Sequence, residues 1–103
     1  MARITKAIAK GWLADVPQEK RFWCSDGRVL KNLAELEVAL KEMHEGTFRY
    51  HSSESKSDFS NWVRDVIGDE KLSGDLRKST TRTQAAKSVA SRIAWLRSKV
   101  VRG

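Results

Sequence analysis

Cys24, His44 and His51 are the only thiol and imidazole groups in the chain, and they occur singly. A structural zinc site needs four such ligands, ordinarily brought in as closely spaced pairs. No C-x-x-C or H-x-x-x-H pair exists, so no metal site is expected, and the fold is expected to need none. His44 is expected at a helix end, where a protonated imidazole complements the negative pole. His51 is expected as a structural hydrogen bonder. Asp65 and Asp69 lie one helical turn apart, a spacing that suits chelation or shared acid–base work. A helix cap accounts for Asp69 and a solvated face for Asp65 with less chemistry. No serine sits in a G-x-S-x-G context and no glycine-rich phosphate loop occurs. A domain this small has little room for a deep pocket. The expectation is a protein that is not an enzyme and carries no cofactor.

Binding chemistry is more prominent. The last 27 residues, RKSTTRTQAAKSVASRIAWLRSKVVRG, hold eight lysines and arginines and no acid, although thirteen acids occur elsewhere. Residues 1–31 carry seven bases and three acids, and residues 32–76 five bases and ten acids. Two basic ends thus flank an acidic middle, an asymmetry that speaks about partners more than about fold. Ala86, Val89, Ile93, Leu96 and Val100 recur at spacings of three and four, which predicts an amphipathic helix starting near Thr81 or Thr83. With Val89 at zero, the apolar stripe centres near roughly 20° and Trp95 falls near roughly 240°. Trp95 shares its face with Arg92 and Lys99, with Ser88, Ser91, Ser98 and Arg102 nearby. An indole among cations suits stacking on a base or meeting an acidic partner. Burial of Trp95 by a second surface, such as the N-terminal helix, is the plainer alternative.

The reading that follows is a small basic nucleic-acid-binding protein, for duplex DNA in preference to RNA. Arg82, Lys87, Arg92, Lys99 and Arg102 are expected on phosphates, assisted by Arg77 and Lys78, with Trp95 against sugar or base. Arg92 and Lys99 both lie off the apolar stripe, so the fold is expected to survive their removal. Arg3, Lys6 and Lys10 would add a second contact if the two ends adjoin. Little sequence specificity is expected, because no groove-docking motif is present. The alternative is a non-enzymatic interaction module whose basic helix docks on an acidic protein surface, such as the middle block of a second copy. A solvated face that keeps the protein soluble is the bland third use of such a charge run. Membrane-surface binding suits this helix less, given its Ser and Thr content.

These groups must be positioned by one domain, since the 103 residues suffice for a single modest core. Apolar residues make up 40% of the chain, too many for a disordered one. No apolar run approaches the roughly 18 residues of a membrane span, and MARITKAIAKGWL lacks a secretory h-region. The lone cysteine fits a reducing cytoplasm. Ile4, Ile8 and Trp12 or Leu13 predict a short amphipathic helix that stops near Asp15 and Pro17. RFWCSDGRVL, with Asp26-Gly27 at its centre, predicts a small hairpin near residues 21–30. Phe22 and Trp23 would then face opposite ways. Asn32 followed by Glu35 is a helix-start signature, after which Leu33, Leu36, Leu40 and Met43 form a stripe ended by Gly46. TFRYHSSESKS is expected as an irregular or extended connector. Phe59, Trp62, Val63, Val66 and Ile67 form the next apolar face, closed by Gly68, and Asp69 caps a short helix through Leu72 and Leu76. The fold class expected is mainly α, a bundle of four to five helices with a short hairpin. Residues 22–78 are expected to supply the main core, with Leu36, Leu40, Phe59, Trp62 and Val66 buried.

Within that span, DGRVLKNLAELEVALKEM followed by TFRYHSSESKSDFSNWVRDVIGDEKLSGDLRK resembles a family of small uncharacterised archaeal and bacterial domains. Their pattern reads DG, an amphipathic helix, F-x-x-H, then NDFxNWxxDVxGD. The matching positions are Asp26, Gly27, Phe48, His51, Asp58, Phe59, Asn61, Trp62, Asp65, Val66, Gly68 and Asp69. Ser57 departs from it, standing where the pattern more often has asparagine. The resemblance implies a common domain over residues 22–78 and brings no activity, and the basic C-terminal helix lies outside it.

Overall fold

Caps and turn residues place most of the elements. The computed structural model describes residues 3–102, the side chain of Arg102 excepted. Thr5 caps α1 (Lys6–Leu13), its hydroxyl accepting from the Ile8 amide. A 3-10 turn (Gln18–Lys20) leads into β1 (Phe22–Trp23), which pairs antiparallel with β2 (Val29–Leu30) in the register Phe22–Leu30 and Trp23–Val29. The bend between them is built by Asp26, whose carboxylate accepts from the Arg28 amide, and by Gly27 at φ +99°, a conformation that side chains resist. Phe22 is buried and Trp23 is 73% exposed, as the alternation of a strand requires.

Asn32 caps α2 (Leu33–Glu42) by accepting from the Glu35 amide, while the Glu35 carboxylate reaches back to the Lys31 amide. Leu33, Leu36, Leu40 and Met43 are buried, as the stripe predicts. The expected connector instead opens with a helix, α3 (Glu45–His51), and Gly46 lies inside it rather than ending α2. The physical reason is burial of Phe48: on a straight continuation of α2 it would sit roughly 100° off the leucine stripe. A corner with extended backbone at Met43 and His44 returns Phe48 to the core. His44 directly follows the C-cap of α2, at the helix end where it is expected, and is at the same time the N-cap residue of α3, so the negative pole of one helix and the positive pole of the next meet there.

Next, α4 (Asp58–Trp62) runs into a π turn (Val63–Ile67), closed where Gly68 at φ +98° donates its amide to the Val63 carbonyl at 2.7 Å. This wider turn takes Val63 and Ile67 into the core and leaves Val66 half-buried, contrary to its expected burial. Asp69 then caps α5 (Glu70–Lys78), and α6 (Arg82–Arg102) completes the chain. The described residues are therefore mainly α, with six α-helices and one two-stranded hairpin.

Spanning about 31 Å at 1.5 Å per residue, α6 packs chiefly against α2 and α1, and then against α5. Ala85, Ala86, Val89, Ile93 and Leu96 are buried along it. Fully burying each of its larger apolar side chains contributes roughly 1.5–3 kcal/mol. The core therefore extends beyond residues 22–78 to include α6 and Ala9 of α1. No helix among the described residues is long and apolar enough to cross a membrane.

Candidate functional site

Inter-helix packing sorts the cations of α6 into two groups. Arg92 turns inward: its Nε donates to Asp69 Oδ2 at 2.7 Å and its Nη2 to Asp69 Oδ1 at 3.0 Å. The Asp69 side chain is 0% exposed and that of Arg92 10%, so this is a buried bidentate pair of the strong kind. Asp69 Oδ1 also accepts from the Leu72 amide at 3.2 Å, as the α5 cap. The Arg92 guanidinium carbon lies 4.4 Å from the Trp95 ring centroid and 5.8 Å from that of Trp12. Trp12, on α1, also lies against Gly68, where a Cβ would meet its Nε1 at 3.3 Å. The positive φ favours glycine there, and the close approach of the indole adds to that preference.

Arg82 is engaged as well. Its Nη1 donates to the Leu40 and Lys41 carbonyls at 2.8 and 2.7 Å, which satisfies orphan acceptors at the end of α2. Its Nε pairs with Glu45 at 3.0 Å. The expected phosphate contacts through Arg82 and Arg92 are therefore corrected, because Arg92 is spent inside the fold and Arg82 is engaged at its surface by two carbonyls and Glu45. The acid-free quarter is in part neutralised by carboxylates from the middle block.

Lys78 and Lys87 are exposed, Lys99 is half-exposed, and none has a carboxylate partner among the described residues. Arg77 is exposed and donates to the Asn61 side chain at 3.3 Å. Arg97, absent from the expected set although it stands in the same acid-free run, is also exposed and unpaired among the described residues. The Arg102 side chain lies outside the described residues. Trp95 is 38% exposed, with the Lys99 ammonium 4.9 Å from its ring centroid. It is neither core nor free, since one cation from each neighbouring turn lies against the indole. Between α5 and α6 runs an open groove of about 740 Å³ that brings together Lys78, Lys87, Arg92 and Trp95. Lys71, Asp75, Gln84 and three serines complete its lining. Sequence reasoning did not find Lys71, which lies on another helix in the acidic block.

Elsewhere the chemistry-bearing side chains hold structure. Buried His51 accepts from the Ser25 amide at Nε2, 2.9 Å, and so donates from Nδ1 to Asp58 at 2.9 Å. Both ring nitrogens are thus committed to joining hairpin, α3 and α4. Around it Phe22, Phe48, Phe59 and Trp62 pack at centroid distances of 5.1–6.0 Å, Phe59 stacked on Phe22 and Phe48 and Trp62 edge-on to Phe22. Burial pushes the Cys24 thiol above its ordinary value, and the neighbouring Asp26 carboxylate adds to that. Asp65 is exposed and paired with Arg64 at 2.9 Å. No group of three His, Cys, Asp or Glu side chains among the described residues could hold a metal ion. The chain matches no family model, no curated protein and no solved structure.

Proposed function

We propose that this protein binds nucleic acid, duplex DNA in preference to RNA, with little sequence specificity, and that it does no chemistry on its partner. What supports the reading is one observation: Arg77, Lys78, Lys87, Arg97 and Lys99 on α5 and α6 have no carboxylate partner among the described residues, and Lys78 and Lys87 line one groove with a part-exposed tryptophan that Lys99 flanks. Cations so placed neutralise phosphates and release counterions, which a nearby carboxylate would oppose. An indole supplies a surface for sugar or base that tolerates any sequence. The contacts assigned are Arg77, Lys78, Lys87, Arg97 and Lys99, with Trp95. Arg3, Lys6 and Lys10 are exposed on and before α1, which packs against α6, so the N-terminal cations can extend the contact. A buried, unpaired cysteine agrees with work in a reducing compartment, which we take to be the cytoplasm.

Binding to labelled duplex, single-stranded DNA and RNA across a salt series tests this. Five neutralised phosphates correspond to a slope of log affinity against log salt of about −4 to −5 on duplex. Trp95→Ala is expected to weaken binding with little change of slope. Absence of binding to all three at low salt would overturn the proposal and leave an acidic protein surface as the partner to seek.

A further inference from the structure

We infer that the α5–α6 groove seats one sugar–phosphate strand, with Lys78 and Lys87 on its phosphates and Trp95 against sugar or base. We further infer that Asp75 is a built-in brake on that contact. The inference rests on the nucleic-acid reading above and assigns it to one place. The groove's lining carries four cationic side chains, Lys71, Lys78, Lys87 and Arg92, against a single carboxylate, Asp75. Arg92 is neutralised from below by buried Asp69, so it shapes the wall and steadies Trp95 rather than facing the ligand. Lys71 is held by Asp75 at 2.6 Å, one turn along α5. The free charge in the groove is thus Lys78 on one wall and Lys87 on the other, a pair placed to flank a linear polyanion. Ser88, Ser91 and Gln84 also line the groove, donors that suit phosphate and sugar oxygens at any sequence.

Asp75 has a specific consequence. It subtracts one lysine from the groove and adds one like charge to the path of a phosphate. Removing it frees Lys71 and deletes the repulsion together. Binding of a labelled oligonucleotide, as duplex and as single strand, is measured by anisotropy over a salt series for the full chain. Asp75→Asn is expected to tighten binding and steepen the salt slope by about 0.9 on duplex or 0.7 on a single strand. Asp65→Asn is the matched control, since it frees Arg64 from an exposed pair outside the groove and is expected to leave the slope unchanged. Lys78→Ala with Lys87→Ala is expected to flatten the slope by about 1.8 on duplex or 1.4 on a single strand. Lys6→Ala with Lys10→Ala should flatten it less. All these side chains are exposed or half-exposed, and an unchanged thermal transition verifies that each variant folds. The shifts in either arm support the groove, and the arm that shows them names the form of strand it takes. Equal effects of Asp75→Asn and Asp65→Asn, or of the two lysine pairs, would mean diffuse attraction and overturn the groove while the nucleic-acid reading stands. No binding by the unaltered protein would overturn both.

Discussion

Replacing Arg92 with alanine is expected to destabilise the domain severely, although the residue lies off the apolar stripe of α6. The truncation leaves Asp69, 0% exposed, as an uncompensated carboxylate. Its one remaining partner among the described residues is the Leu72 amide at 3.2 Å. Removing one member of a buried pair ordinarily costs about 3–5 kcal/mol. In addition, the guanidinium that lies beside Trp12 of α1 and Trp95 of α6 disappears, so the two indoles lose their shared neighbour. At about 4–8 °C per kcal/mol for a domain of this size, the melting temperature should fall by at least about 12 °C. Urea unfolding is the assay, with the midpoint displaced at nearly unchanged slope. Arg97→Ala, an exposed cation five residues along, is the control and should stay within about 0.5 kcal/mol. Asp69→Asn combined with Arg92→Met should cost less than Arg92→Met alone, because asparagine retains the cap acceptor and removes the stranded charge. A loss below about 1 kcal/mol for Arg92→Ala would refute this account of the pair, and Arg92 would return to the set of candidate phosphate contacts.

Trp62→Ala should cost about 3–5 kcal/mol by urea unfolding, since the indole is 7% exposed, packs on Phe22 and donates to the Lys20 carbonyl at 2.8 Å; a near-neutral result would mean that α4 is misplaced. Asp26 makes a pH prediction. Burial raises its carboxyl, but the Arg28 amide, the Cys24 thiol and the Arg28 guanidinium outweigh that and hold it below its ordinary value of 3.8. A group depressed on folding stabilises the fold above its unfolded value, and the contribution fades as pH falls through the folded one. The stability difference between the unaltered protein and Asp26→Asn, which keeps the turn acceptor, should therefore be full at neutral pH and close below about pH 4. A difference constant down to strong acid would contradict the charge argument.

Features decided within about one turn of chain were legible in the residues. Asn32 and Asp69 cap their helices, Asp26-Gly27 turns the hairpin, Gly68 ends its helical segment, and the stripes of α2 and α6 are buried, Val100 in part. Each is a matter of i to i+4 contacts and backbone preference, which a single sequence carries. The corner at Met43–His44 was not legible, since no breaker residue marks it and it exists to return Phe48 to a core assembled from distant segments. The site was half legible. That α6 is basic, amphipathic and carries Trp95 off its stripe follows from spacing alone. Which cations remain available does not, because Arg92 meets Asp69 across 23 residues and Arg82 meets the end of α2 across more than 40. The acid-free quarter looked uncompensated because charge was counted along the chain, whereas Coulomb attraction and desolvation act through space. Only helix packing decided that two arginines would be drawn inward by carboxylates of the acidic block, and that Lys78 of α5 would face Lys87 and Trp95 of α6 across one groove.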